Sequence, residues 1–96
     1  MFDFEKEYWF NKVIVEYVDK YKTSRIKNLN VLIYDNKKRF IDKFVYNNIN
    51  QDLNSFNFIL NSKCRYIKFE FIENYGGDYF IIGKIRFNTE EIYSIN

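Results

Sequence analysis

Along most of the chain, apolar and polar residues alternate with a period of two, the pattern of strands that bury one face. Over residues 28–35, Leu29, Val31 and Ile33 alternate with Asn30, Leu32 and Tyr34. The polar run Asp35-Asn36-Lys37-Lys38 then predicts a turn. Residues 39–46 set Phe40, Asp42, Phe44 and Tyr46 against Ile41, Lys43 and Val45. The Asn-rich stretch 47–54 reads as a loop. Residues 55–60 place Phe56, Phe58 and Leu60 on one face, and residues 64–72 place Ile67, Phe69 and Phe71 opposite Tyr66, Lys68 and Glu70. Asn74-Tyr75-Gly76-Gly77-Asp78 must turn, because glycine adopts positive φ at little cost. A last strand is predicted over 79–87, with Ile81, Gly83, Ile85 and Phe87 on one face. Gly83 marks a bulge or a close backbone approach within it.

The N-terminal region carries two patterns at once. Phe10, Val13, Ile14, Tyr17, Val18 and Tyr21 fit one face of a helix, and Glu16 with Lys20 would form a favourable i,i+4 pair. Yet Val13-Ile14-Val15 is a β-branched run, and Val13, Val15 and Tyr17 alternate with Ile14, Glu16 and Val18. Periodicity leaves open a strand over 11–18 or a helix over 3–21. There is no proline, no repeat and no linker, so residues 1–96 are read as one domain.

Composition favours sheet. The chain lacks alanine, is 22% aromatic and is 47% hydrophobic, so a core of Phe, Tyr and Ile replaces one of good helix formers. A formal net charge of +2 is too small to imply nucleic acid or an anionic membrane. No run of about 18 apolar residues would span a membrane, and no leader pattern opens the chain, which implies a cytoplasmic default, or an extracellular protein if a leader has been removed.

The chemistry on offer is narrow. There is no histidine, which removes Ser-His-Asp and Cys-His nucleophilic sites and His-ligated zinc. The single Cys64 forms no internal disulfide and reads as a buried thiol. Gly76-Gly77 lacks the Lys-Ser/Thr of a phosphate loop and reads as a turn. Glu70, Glu73 and Asp78 are the carboxylates nearest to a glycosidase-like group, outweighed by their reading as solvated charges beside a turn. Lys20, Tyr21, Lys22, Arg25 and Lys27 interleave cations and rings, as nucleic-acid binders do, but the small net charge favours a solvated loop. Trp9 reads as a core or lid residue. The aromatic loop 74–80 is the preferred ligand patch, because Tyr75, Tyr79 and Phe80 stand beside a flexible glycine pair.

Residues 64–87 read CRYIKFEFIENYGGDYFIIGKIRF, with an Arg-Tyr-Ile-Lys strand, an Asn-Tyr-Gly loop and a closing Ile-Gly-x-Ile-Arg-Phe strand. This segment resembles the end of the discoidin, or galactose-binding-like, family (the coagulation-factor C-terminal type). Upstream, Arg25-Ile-Lys-Asn-Leu-Asn-Val-Leu-Ile-Tyr-Asp35 and Asn11-Lys-Val-Ile-Val-Glu-Tyr17 are similar to earlier strands of that fold, so the resemblance spans roughly residues 9–88. It implies an all-β, antiparallel two-sheet sandwich of jelly-roll type, abridged because the family's additional N-terminal strands are missing. The alternative is an α+β domain with an N-terminal helix on an antiparallel sheet. It further implies a non-catalytic module that binds a glycan or a protein through its end loops, and of the family's site only the aromatic contribution carries over, to Tyr75, Tyr79 or Phe80. Asp78 in the same loop, with Tyr21 and Arg25 in the loop before residue 28, completes the expected ligand-binding residues. No catalytic residue, cofactor or metal is expected. An open sheet edge would allow a homo-oligomer. The rival reading is a small inhibitor, immunity or assembly factor that docks on one protein partner.

Overall fold

The structure, a computed structural model, describes residues 1–90. Five strands follow one another: β1 (Phe2–Glu16), β2 (Ile26–Tyr34), β3 (Phe40–Tyr46), β4 (Ser55–Asn74) and β5 (Lys84–Glu90). A single 3-10 turn, Lys22–Ser24, precedes β2. All pairings are antiparallel, in the order β3-β2-β4-β1-β5. The helix considered for residues 3–21 does not form. Val13 and Val15 are inward members of a strand, flanked by Phe58 and Phe87 and by Phe56 and Ile85 respectively. Strand wins because its alternation buries Val13 between two rings, and Val15 between Phe56 and Ile85.

The sandwich is built by folding one sheet over itself. The first half of β4 pairs with β1 and its second half pairs with β2. Only Tyr66 and Ile67 are shared, facing Asp3 and Phe2 on one side and Tyr34 and Ile33 on the other. Rings then meet across the two layers: Tyr46–Phe58 at 4.7 Å, Phe58–Phe69 at 6.1 Å and Phe69–Phe87 at 6.3 Å. One layer is β4–β1–β5 and the other is β3–β2–β4, as expected where a strand passes from one layer to the next at a bend.

Bulges shape these long strands. Between Phe10↔Ser62 and Lys12↔Ile59, β4 carries one residue more than β1, and Asn61 there has φ 43°. An extra residue of this kind bends the strand and raises its twist. Nearer the N-terminus β1 advances from Asp3 to Tyr8 while β4 moves only from Tyr66 to Cys64, and Glu5 takes φ 70°. The final strand starts later than the alternation predicts. Ile81 and Gly83 instead donate backbone N–H groups to the carbonyls of Ser24 and Glu16, at 3.1 and 2.9 Å. A Cβ on Gly83 would lie 3.1 Å from the Glu16 carbonyl oxygen, so the close approach expected there is real.

Phe10, Val13, Val15, Ile26, Leu29, Val31, Ile33, Cys64 and Ile67 are fully buried, with Phe58 and Leu60 nearly so. Trp9 is not core: it faces outward, and its indole N–H donates to Asn11 Oδ1 at 3.0 Å. The free edge of β3 is guarded by charge. Asp42 lies opposite Ile33 on the inner face, and an inward charge on an edge strand discourages pairing with another sheet.

Burial has a pH consequence. The Cys64 thiol is pushed up to about 12 by desolvation, with the Glu7 carboxylate adding to it, from an ordinary 9.0. Desolvation likewise raises Tyr17 from 10.0 to about 12. Both groups hold their protons more tightly in the folded chain. Their contribution is therefore complete below the unfolded values and is lost as pH rises from about 9 to 12, at ~1.4 kcal/mol per pH unit for each group titrating only in the unfolded state. Urea midpoints measured from about pH 8 to 11 should fall in the wild type, and less steeply in Cys64→Ala.

Candidate functional site

Three connections meet at one end of the sandwich: residues 17–25 after β1, residues 47–54 before β4 and residues 75–83 before β5. Backbone bonds knit them together. Tyr17 N–H donates to Asn54 O at 2.9 Å, Ile49 N–H to Lys27 O at 3.0 Å, and Gly77 N–H to Thr23 O at 3.0 Å. The side-chain amide of Gln51 donates to Lys22 O at 3.0 Å. A Cβ on Gly77 would stand 2.5 Å from Ser24 Oγ, so glycine lets loop 75–83 lie directly on the 3-10 turn.

Arg25 holds this end together from within. It is 1% exposed. Its Nη1 donates to the carbonyls of Gln51 and Leu53 at 2.8 and 3.0 Å, and its Nη2 to Val18 O at 3.2 Å and Asn54 Oδ1 at 3.3 Å. The guanidinium lies 4.9 Å from the centre of the Tyr17 ring. A buried cation is tolerated here because carbonyl dipoles replace its water. Read from the sequence as a surface ligand contact, Arg25 is instead an internal clamp.

The other expected residues do gather at this end, with different exposures. Tyr21, held at φ 61°, is 59% exposed and Tyr79 is 75% exposed. Asp78 is exposed in the same loop as Tyr79. Tyr75 is half-buried, with its hydroxyl donating to Ile49 O and Lys27 Nζ 5.9 Å from its ring. Phe80 is half-buried and packs on Phe71 at 5.3 Å. Asn74 fixes the loop between them: its Nδ2 donates to Gly77 O and Tyr79 O, and its Oδ1 accepts from Gly76 N–H. The exposed apolar side chains Val18 and Leu53 belong to the same end. Each has an aspartate beside it in sequence, Asp19 next to Val18 and Asp52 next to Leu53.

Two of the three carboxylates considered for hydrolysis are engaged in ion pairs, and the third, Asp78, is exposed. Glu70 meets Lys68 at 3.7 Å, and Glu73 meets Lys27 at 3.5 Å while accepting from Asn28 at 2.9 Å. Among the described residues no group of three or more His, Cys, Asp or Glu could hold a metal ion. A shallow cleft of about 180 Å³ lies at the opposite end of the sandwich, lined by Glu7, Asp35, Asn36, Lys37 and Arg39. Its Asp35 is saturated. The backbone N–H groups of Arg39 and Lys37 and the Arg39 guanidinium donate to it, which holds its carboxyl below the usual range. No helix among the described residues is long and apolar enough to cross a membrane.

No curated protein and no solved structure matches this chain. One family model does, described as Sad1 / UNC-like C-terminal, over residues 2–88. It covers nearly every described residue, including the N-terminal part of β1 that the discoidin resemblance left out. The galactose-binding-like fold inferred from residues 64–87 holds, while the discoidin family itself is replaced by another of that fold. The chain therefore belongs to the Sad1 / UNC-like C-terminal family, non-catalytic binding domains of galactose-binding-like fold that mediate protein–protein interactions.

Proposed function

We propose that this domain recognises a partner protein through the loop end of the sandwich, without catalysis. The observation that carries the reading is the pair of exposed rings, Tyr21 and Tyr79, standing on loops that Arg25 and Asn74 fix in place. Rigid exposed tyrosines bury large area on binding at low entropic cost, which is why they anchor protein interfaces. Val18 and Leu53 supply apolar area beside them, and Asp78 and Asp52 supply a polar rim.

The test is affinity capture with the wild type beside a Tyr21→Ala/Tyr79→Ala variant of unchanged melting temperature. A partner retained by the first and lost by at least about tenfold in the second supports the reading. Equal capture by both would move the interface elsewhere. Carbohydrate recognition is a second reading, favoured by the Tyr79 ring beside the Asp78 carboxylate. Binding to a defined glycan on an array, lost in a Tyr79→Ala/Phe80→Ala variant, would establish it instead.

A further inference from the structure

The outer face of the β4–β1–β5 layer has a composition that the loop end does not explain. Residues directly opposite one another in neighbouring antiparallel strands share a face. Since Val13 and Val15 point inward, Lys12, Ile14 and Glu16 point outward, and the register sets Ser55 and Lys84 beside Glu16. Asn57 and Arg86 flank Ile14, Ile59 and Asn88 flank Lys12, and Lys63 and Glu90 lie opposite Trp9. By register, four cations thus share this face with two acids, Glu16 and Glu90, and Arg86 already binds Glu16. Lys12, Lys63 and Lys84 form no ion pair with any described residue. Between them stand Ile59, 57% exposed, and Trp9, 36% exposed. The outer face of the other layer differs, since Lys68 there is paired with Glu70 and Lys27 with Glu73.

We infer that this sheet face is a second interaction surface, and that its occupant is an acidic protein segment bearing aliphatic or aromatic side chains between its carboxylates. Unpaired ammonium groups would meet carboxylates, and Ile59 and Trp9 would cover apolar side chains. A nucleic acid is disfavoured because, among the described residues, one ring lies on the face, and the net charge is +2, too little for a phosphate backbone. The face borders the proposed loop end through the Gly83-to-Glu16 backbone bond, so one partner could reach both. It stands on the register alone and does not depend on the loop reading.

The test uses amide NMR titration with a peptide alternating Glu and Leu, and separately with its Lys-for-Glu counterpart and with oligo-dT. The acidic peptide should shift the amides of Ile14, Asn57, Ile59 and Arg86, and its affinity should fall as salt is raised from about 50 to 300 mM. Lys12→Glu/Lys84→Glu should weaken it by at least about tenfold, whereas Lys38→Glu/Lys43→Glu, the same charge change elsewhere on the domain, should not. Three results would overturn the proposal: no response to the acidic peptide, equal loss in both variants, or tighter binding of oligo-dT. Tyr21→Ala/Tyr79→Ala keeps the two surfaces distinct, because it should leave the acidic-peptide response unchanged.

Discussion

Replacing Arg25 with Met lowers stability by about 3–5 kcal/mol, the largest expected loss from any polar residue of this domain. Methionine fills much of the space of the arginine stem but donates nothing. The carbonyls of Val18, Gln51 and Leu53, together with Asn54 Oδ1, then lose the donors that hold them. Each buried acceptor left unpaired costs about 1–3 kcal/mol, and only the fraction that water can reach is recovered. Arg25→Lys recovers part of the loss, because one ammonium cannot span acceptors arranged around a planar fork. Thermal and urea denaturation measure the total. Hydrogen exchange separates its location: the Tyr17 and Ile49 amides, bonded to Asn54 and Lys27, should lose protection before those of β2 and β4. A loss below about 1 kcal/mol would show that the clamp is decorative.

Phe10→Ala costs about 3–5 kcal/mol through the cavity it leaves. The ring is fully buried and lies 4.8 Å from Phe4, 6.1 Å from Phe87 and 6.3 Å from Tyr8. Collapse around the vacancy is limited, because Phe10 sits beside the β4 bulge, where Asn61 already bends the backbone. Phe2→Ala removes a ring 38% exposed and should cost about 1 kcal/mol. A double-mutant cycle between Phe10 and Phe4 should return a coupling of about 0.5–1.5 kcal/mol, as expected for an edge-to-face pair. Urea denaturation of the wild type, the three single variants at Phe2, Phe4 and Phe10, and the Phe4/Phe10 double variant provides all three numbers.

Most of the strands were legible because one face of each is wet. Leu29, Val31 and Ile33 alternate with half-buried neighbours, and the structure buries those three. Val13 satisfied a helical and a strand pattern alike, and what decided between them lies far along the chain, in Phe58 and Phe87. The first residues of β1 carry no clean alternation because the bulge around Glu5 breaks the period. For the same reason β4 read as two strands: Asn61 interrupts a pattern that the backbone runs straight through. The loop end was legible in its rings but not in Arg25. A cation among other cations reads as surface, and two of the three carbonyls that bury it come from residues 26 and 28 positions away. The outer cationic face was not legible, since Lys12, Lys63, Lys84 and Arg86 come together only through the register of three strands.

That folded-over sheet also sets the order in which the chain can be made. During synthesis β1 emerges first, yet its partners are β4 and β5, the last strands to appear. Only the β2–β3 hairpin can form from neighbouring residues; every other pairing waits for distant chain, which predicts refolding on the millisecond-to-second scale. Until β4 leaves the ribosome, β1 carries Phe10, Val13 and Val15 unpaired, an aromatic and β-branched strand with no layer to join. Nascent chains halted before β4 should therefore depend on chaperones, while chains extended past β5 should not.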